Sequence, residues 1–208
     1  MVSPDAPKFR RRKAERPGEI VAAALQVFAE KGFAAARLEE IAARAGVSKG
    51  AVYLYFATKE DVFRAVVEQA IAPNLDAVLA LLAQHAGPFP TLLHALAERM
   101  ALVMNQPAIG GVAKMVIGEA RNFPELGRLW HDRLVAKALA ALTEAVERAQ
   151  ARGEVRQGDP RIFALQVIAP LLTGVIWRET FVPAGAEPFD LTAVARQHVE
   201  TLLQGLAP

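Results

Sequence analysis

Residues 38–56 read LEEIAARAGVSKGAVYLYF. Leu38, Ile41, Ala42 and Ala45 recur at helical spacing, which predicts a short helix from Arg37 to about Arg44. Ala45-Gly46-Val47 then predicts a tight turn, with Gly46 supplying a left-handed backbone. Ser48 has the side-chain oxygen of an N-cap and opens another short helix, Lys49 to about Tyr55. Val52 and Phe56 are expected to point inward and close a small core.

On the N-terminal side, Ile20, Ala23, Ala24, Val27 and Phe28 follow the i, i+3, i+4, i+7, i+8 rule of an amphipathic helix. That helix is expected to start at Arg16, with Pro17 in its first turn, and to stop at Gly32. On the C-terminal side, Thr58 with Asp61 approximates a capping box. The helix it opens should run from Lys59 to about His85 and kink at Pro73. Further helices are expected over Pro90–Asn105, Ala108–Asn122, Glu125–Arg152, Pro160–Phe181 and Leu191–Gly205. No alternating strand pattern competes, and no internal repeat is present. The expected fold is all-α with about nine helices: a flexible basic arm over 1–14, a three-helix unit over 15–62 and a larger helical domain over 63–208.

The 208 residues are 53% apolar and 22% charged, enough to bury a core and too hydrophobic for disorder. The net charge of +2 is unevenly spread. Residues 1–64 hold 12 basic and 8 acidic side chains, whereas residues 65–208 hold 12 and 14. A basic head on a faintly acidic body points to a polyanionic partner for the head. Cysteine is absent, which excludes disulfides, a thiolate nucleophile and Cys-ligated metal. The four histidines show neither His-x-x-x-His nor Glu-x-x-His spacing, so no metal, no cofactor and no enzymatic activity are expected. Met1–Lys13 lacks the apolar stretch of a secretory signal. The apolar run Phe163–Trp177 is shorter than a typical span of about 20 residues and carries Gln166, Pro170 and Thr173. These features point to a soluble cytoplasmic protein without a membrane partner.

Two short helices joined by a glycine turn inside a basic segment suggest a helix-turn-helix, whose second helix enters the major groove of duplex DNA. Ser48 and Gly50 are small enough to let that helix approach. Lys49 can reach a guanine edge or a phosphate, and Ala51 offers a methyl contact to thymine. Tyr53 and Tyr55 carry hydroxyls for phosphates, with partial core burial expected of one of them, and Lys59 adds a charge at the next helix start. The cluster Lys8, Arg10, Arg11, Arg12, Lys13 is either a further DNA contact or a solvated tail.

Arg16–Val67 resembles the DNA-binding domain of the TetR/AcrR transcriptional regulators, carried by AALQVFAEKGF (23–33), LEEIAARAGVSKGAVYLYF (38–56) and TKEDVFRAVV (58–67). MVIGEARNFPELG (115–127) is similar to the C-terminal domain of efflux-pump-type members. The resemblance assigns DNA contacts to Ser48, Lys49, Ala51, Tyr53, Tyr55 and Lys59, and Gly50 lies among them on the expected DNA-binding helix. Arg37 stands where the family has Thr or Ser, so the capping hydroxyl is lost while the guanidinium can still make the DNA contact to a phosphate. The resemblance also implies a repressor that binds a palindromic operator as a homodimer and is released by a small hydrophobic effector. The last two helices would form the dimer, with Leu165, Ile168, Leu172, Ile176, Val194 and Leu202 in the interface. Met100, Met104, Met115, Phe123, Trp130, Trp177 and Phe181 read either as ordinary core or as the soft wall of an effector pocket. Glu119 reads either as a salt bridge or as a polar handle on the ligand. The alternative function is a DNA-binding architectural or protein-interaction factor without a small ligand.

Overall fold

The structure, a computed structural model, describes the backbone of residues 8–207 and the side chains of residues 16–207. Residues 1–7 of the expected arm, and the side chains of Arg11 and Arg12, lie outside the described residues. Among the described residues there are nine helices and no strand. They are α1 (Lys8–Ala35), α2 (Leu38–Arg44), α3 (Lys49–Tyr53), α4 (Lys59–Gln84), α5 (Phe89–Met104), α6 (Pro107–Glu119), α7 (124–151), α8 (Pro160–Thr180) and α9 (Leu191–Leu206).

Three details depart from the sequence expectation. Helix α1 begins at Lys8 rather than Arg16, which places Pro17 inside the helix and not in its first turn. The break expected at Pro73 is a π-turn over Val67–Ile71, just before the proline. Proline has no N–H to donate and its ring crowds the preceding turn, so the helix widens there. A second π-turn, His131–Val135 in α7, has no proline and leaves no mark in the sequence. The capping box at α4 forms as expected: Asp61 N donates to Thr58 Oγ1 at 3.1 Å and Thr58 N donates to Asp61 Oδ2 at 3.0 Å.

Two hydrophobic clusters hold the molecule. The first joins α1–α3 and the start of α4 to Val112, Met115 and Val116 of α6 and to Leu126 and Leu134 of α7. It therefore runs across residue 62 without a break. Its aromatic centre is Phe28, Phe33 and Phe63, with ring centroids 5.6–6.0 Å apart. The second cluster joins Leu82 of α4 to α5, the latter part of α7, α8 and α9. The seam between the clusters passes between Leu75 and Val78 on α4 and between Leu134 and Leu139 on α7.

Helices α5 and α6 meet at 85°. Arg178 of α8 braces that corner: its Nη1 donates to Met104 O at 2.7 Å and its Nε to Glu179 Oε1 at 2.7 Å. Gly110 leaves the space its guanidinium needs. By length and composition α4 and α8 are each apolar enough to cross a membrane, beyond what the short run Phe163–Trp177 suggests. In the fold their apolar residues divide between core and surface: Phe163, Val167 and Leu171 of α8 are buried, whereas Ile162, Leu165 and Leu172 face outward.

Helix α6 approaches α1 closely at Gly111. A Cβ there would lie 2.8 Å from Ala29 Cβ, 3.0 Å from its Cα and 3.1 Å from its carbonyl oxygen. Backbone cannot yield as a side-chain tip can. Gly111→Ala is expected to push α6 off α1 and destabilise the protein by about 1–3 kcal/mol, the usual range for overpacking, read as a lower denaturation midpoint.

Candidate nucleic-acid interface and its link to the body

Helix α3 is held from below and open above. Val52 is fully buried and Phe56 nearly so, as expected, and they fix the helix to the first cluster. Ser48 caps it, with Oγ accepting from Ala51 N at 3.2 Å. Ser48, Lys49, Gly50 and Tyr53 are exposed, and Ala51 is half-buried. Tyr55 is the tyrosine that packs half-buried against the core, while Tyr53 is 48% exposed. Gly50 has only Ser48 Oγ, 4.0 Å away, within reach of an added Cβ. The fold therefore does not demand glycine there, and its missing side chain clears space on the outward face. Beside this face lies a polar cleft of about 410 Å³ lined by Arg16, Glu19, Ala45–Ser48 and Ala51.

Ion pairs lace the head together. Arg44 binds Glu30 through two nitrogens at 2.7 Å, and Lys31 binds Glu40 at 2.6 Å. Lys49, the expected base or phosphate contact, is paired with Glu39 of α2 and sits 5.8 Å from the Tyr53 ring centroid. The Lys49 ammonium holds the Glu39 carboxyl below its ordinary range, and the carboxylate raises the lysine in turn. Arg37 occupies the N-cap position of α2 and makes no side-chain capping bond, as its chemistry requires.

Lys59 departs from expectation. Its ammonium faces inward and donates to Phe33 O at 2.6 Å, Ala36 O at 3.1 Å and Ala34 O at 3.2 Å, 4.5 Å from the Phe33 ring centroid. An ammonium has three protons, and all three are engaged. The carbonyls left without partners where α1 ends hold this lysine inward. From sequence alone a lysine so soon after Tyr53 and Tyr55 reads as one more phosphate contact, because the carbonyls it serves lie 23 to 26 residues upstream.

The eight residues expected at an effector pocket fall into four places. Met100 and Met104 pack in or against the second cluster, and Met115, Phe123 and Trp130 in or against the first. Trp177 and Phe181 form a separate aromatic group with Phe189, at centroid distances of 5.1 and 5.3 Å from the Trp177 ring. Trp177 Nε1 donates to Glu187 O at 2.8 Å. Glu119, read either as a salt bridge or as a ligand handle, accepts from the backbone of Phe33 at 3.0 Å and of Ala34 at 2.8 Å, on the head. A second cleft, about 180 Å³, lies between α5 and α9 beside His94, Glu98, Thr192 and Glu200. None of the eight residues lines either cleft.

One polar group without a motif in the sequence stands out in the fold. Arg99 of α5 is half-buried, its Nε is enclosed, and it has no hydrogen-bond partner or counter-ion among the described residues. Its only sequence signal is a cation on the flank of an apolar helix, one turn before Val103. Of the six expected interface residues, Leu165 and Leu172 are exposed and Ile168, Ile176, Val194 and Leu202 half-buried; none is core. Ile162, Leu165, Ala169, Leu172 and Ile176 make a continuous apolar stripe along α8.

Comparison with known proteins agrees with this architecture. Residues 20–66 match the family of bacterial regulatory proteins of the tetR type, and residues 91–205 match the C-terminal domain of AefR-like transcriptional repressors. The transcriptional repressor BepR of Brucella suis is 28% identical over 210 residues, covering 95% of this chain and 96% of its own. A crystal structure of a TetR-family regulator from Mesorhizobium loti superposes with a TM-score of 0.74 at 28% identity, over 95% of this chain and 99% of that one. The regulator FadR of Bacillus subtilis, solved in complex with stearoyl-CoA, shares the fold with a TM-score of 0.75 at 21% identity, over 91% of this chain and 98% of that one. The chain thus belongs to the tetR family of bacterial transcriptional regulators, with a helix-turn-helix head and a repressor-type helical body.

Proposed function

We propose that the protein is a cytoplasmic homodimer that reads a palindromic operator through α3. We propose further that a small, largely apolar effector bearing an acidic group releases it. The outward face of α3 carries the DNA reading: Lys49, Gly50 and Tyr53 are exposed together on a helix anchored by Val52. Gly50 supports it most directly, because glycine in a helix costs about 1 kcal/mol relative to alanine and the fold gains nothing from it. Gly50→Ala is expected to raise stability by about 0.5–1 kcal/mol while weakening operator affinity, the two read by denaturation and by DNA titration. An unchanged affinity would take α3 off the DNA.

The apolar stripe of α8 supports the dimer, since a row of exposed Ile and Leu side chains along one helix face is the usual signature of a partner surface. Leu165 is 59% exposed, so Leu165→Glu leaves the single subunit folded and buries a charge only in the dimer. The variant should sediment as a folded monomer and lose most of its operator affinity. A persisting dimer would move the interface off α8.

The effector reading rests on the seam between the two clusters and on Arg99, toward the α5–α6 corner where they part. A half-buried arginine whose enclosed Nε has no partner favours a ligand that brings an acceptor. The stearoyl-CoA bound by the B. subtilis regulator is such an amphipathic anion. Stearoyl-CoA at one hundred times its dissociation constant is expected to stabilise the protein by about 2.7 kcal/mol and to release operator DNA. Arg99→Met should weaken both effects and leave unliganded operator binding intact. Equal responses in the variant and the native protein would remove Arg99 from the site.

A further inference from the structure

We infer that the turn Gly32–Ala36, gripped by Glu119 of α6 and by Lys59 of α4, sets the angle of the reading head on the body, with Glu119 as the positioning residue. Helix α1 is interrupted at Gly32, where φ is +79°. Phe33–Ala36 then form one further turn, closed by Ala36 N donating to Gly32 O at 3.3 Å. The first amides of such a turn have no partner inside it. Glu119 takes both, Phe33 N at 3.0 Å and Ala34 N at 2.8 Å, and so caps from 85 residues away. Lys59 takes the carbonyls of Phe33, Ala34 and Ala36 on the other side. A carboxylate on the N–H side and an ammonium on the C=O side match the polarity of the turn at both ends.

The space at the turn is shaped to this grip. A Cβ on Gly32 would collide with Glu119 Oε1, so glycine serves both the left-handed backbone and the approach of the carboxylate. The Phe33 ring meets Phe123, from the linker after α6, edge-on at 5.1 Å. The end of α6 and the linker beyond it thus both bear on residue 33. The turn leads directly into α2, whose Glu39 and Glu40 reach Lys49 of α3 and Lys31 of α1. A displacement of the α6 C-terminus is therefore passed to α3 through bonded and packed groups, with no loose segment between.

This inference rests on the reading of a dimer on two half-sites, because a head angle matters where two heads must fit one spacing. Glu119→Gln tests it, since the carboxamide keeps the shape, accepts one N–H and turns its own N–H₂ against the other. Two measurements on the full protein are compared with the native chain: amide hydrogen exchange, and binding to a library of palindromes whose half-sites are separated by different spacers. The expected result is about tenfold faster exchange at Phe33 and Ala34, with Val27 and Phe28 unchanged. The preference for the best spacer over its one-base-pair neighbours should also fall about tenfold, with little loss of affinity for a single half-site. Unchanged exchange at Phe33 and Ala34 would refute the grip. Faster exchange with an intact spacer preference would make Glu119 a structural cap and overturn the positioning role. A native protein with no spacer preference would overturn the two-half-site reading itself, and this inference with it.

Discussion

Helix α6 lies against α1 because Gly111 presents no side chain to Ala29, and its end is fastened there by Glu119. Most of the architecture follows from that crossing. With the two backbones this close, Met115 and Val116 reach the same cluster as Phe28, Phe33 and Phe63. The head and the body then share one core instead of meeting across an interface. Interfaces between separate domains within a chain are more polar, and they let the parts move independently. A shared core does not bend gradually; packed side chains move between discrete arrangements. A change in the body can therefore reach the head through α6 and the turn it holds, and also along α4, which runs from one cluster into the other.

Close engagement governs charge as well. The head carries a surplus of cations in its sequence, yet the fold engages many of them internally. Arg44, Lys31 and Lys49 are paired with Glu30, Glu40 and Glu39, and Lys59 serves the end of α1. The pairs are solvent-exposed, where an ion pair is worth little and exchanges readily with a competing anion. Lys49 can leave Glu39 for a phosphate at small cost, and counterion release from the nucleic acid favours that exchange. Lys59 would have to give up three carbonyls to do the same. Lys49 and Lys59 thus have different standing toward DNA for reasons of local geometry alone.

What is legible in the sequence is local. The i, i+3, i+4 patterns, the Gly46 turn, the Ser48 cap and the Thr58–Asp61 box each depend on neighbours within a few residues, and each forms. The outward face of α3 follows from Val52 and Phe56 pointing in. Long-range partners are what the sequence hides. An isolated charge in sequence shows no partner, so Glu119 reads as a ligand handle or salt bridge and Lys59 as a phosphate contact. Their partners within the fold lie 85 and 26 residues away, in backbone atoms that no side-chain pattern reveals. Composition leaves the methionines and aromatics open between ordinary core and one pocket wall, and the fold divides them among the two clusters and the Trp177 group. Arg99 escapes notice for the complementary reason: enclosure without a partner is a property of the packed molecule, not of the residue.

The strength of the grip on the Gly32 turn suits a regulated molecule. A ligand that lowers operator affinity a thousandfold must favour the released conformation by about 4 kcal/mol. Hydrogen bonds to a charged group contribute about 1.5–3 kcal/mol each, less where solvent reaches them. Glu119 makes two, one half-buried and one exposed, so the clasp falls in the same range as the work required. A much stronger attachment, such as a fully buried ion pair, would hold the head against any effector of ordinary affinity. A much weaker one would let the heads drift and cost operator affinity in the absence of effector. Backbone amides suit this role better than side chains would. They belong to the turn itself, so on the turn's side of the contact no rotamer stands between the bond and the backbone that leads into α2.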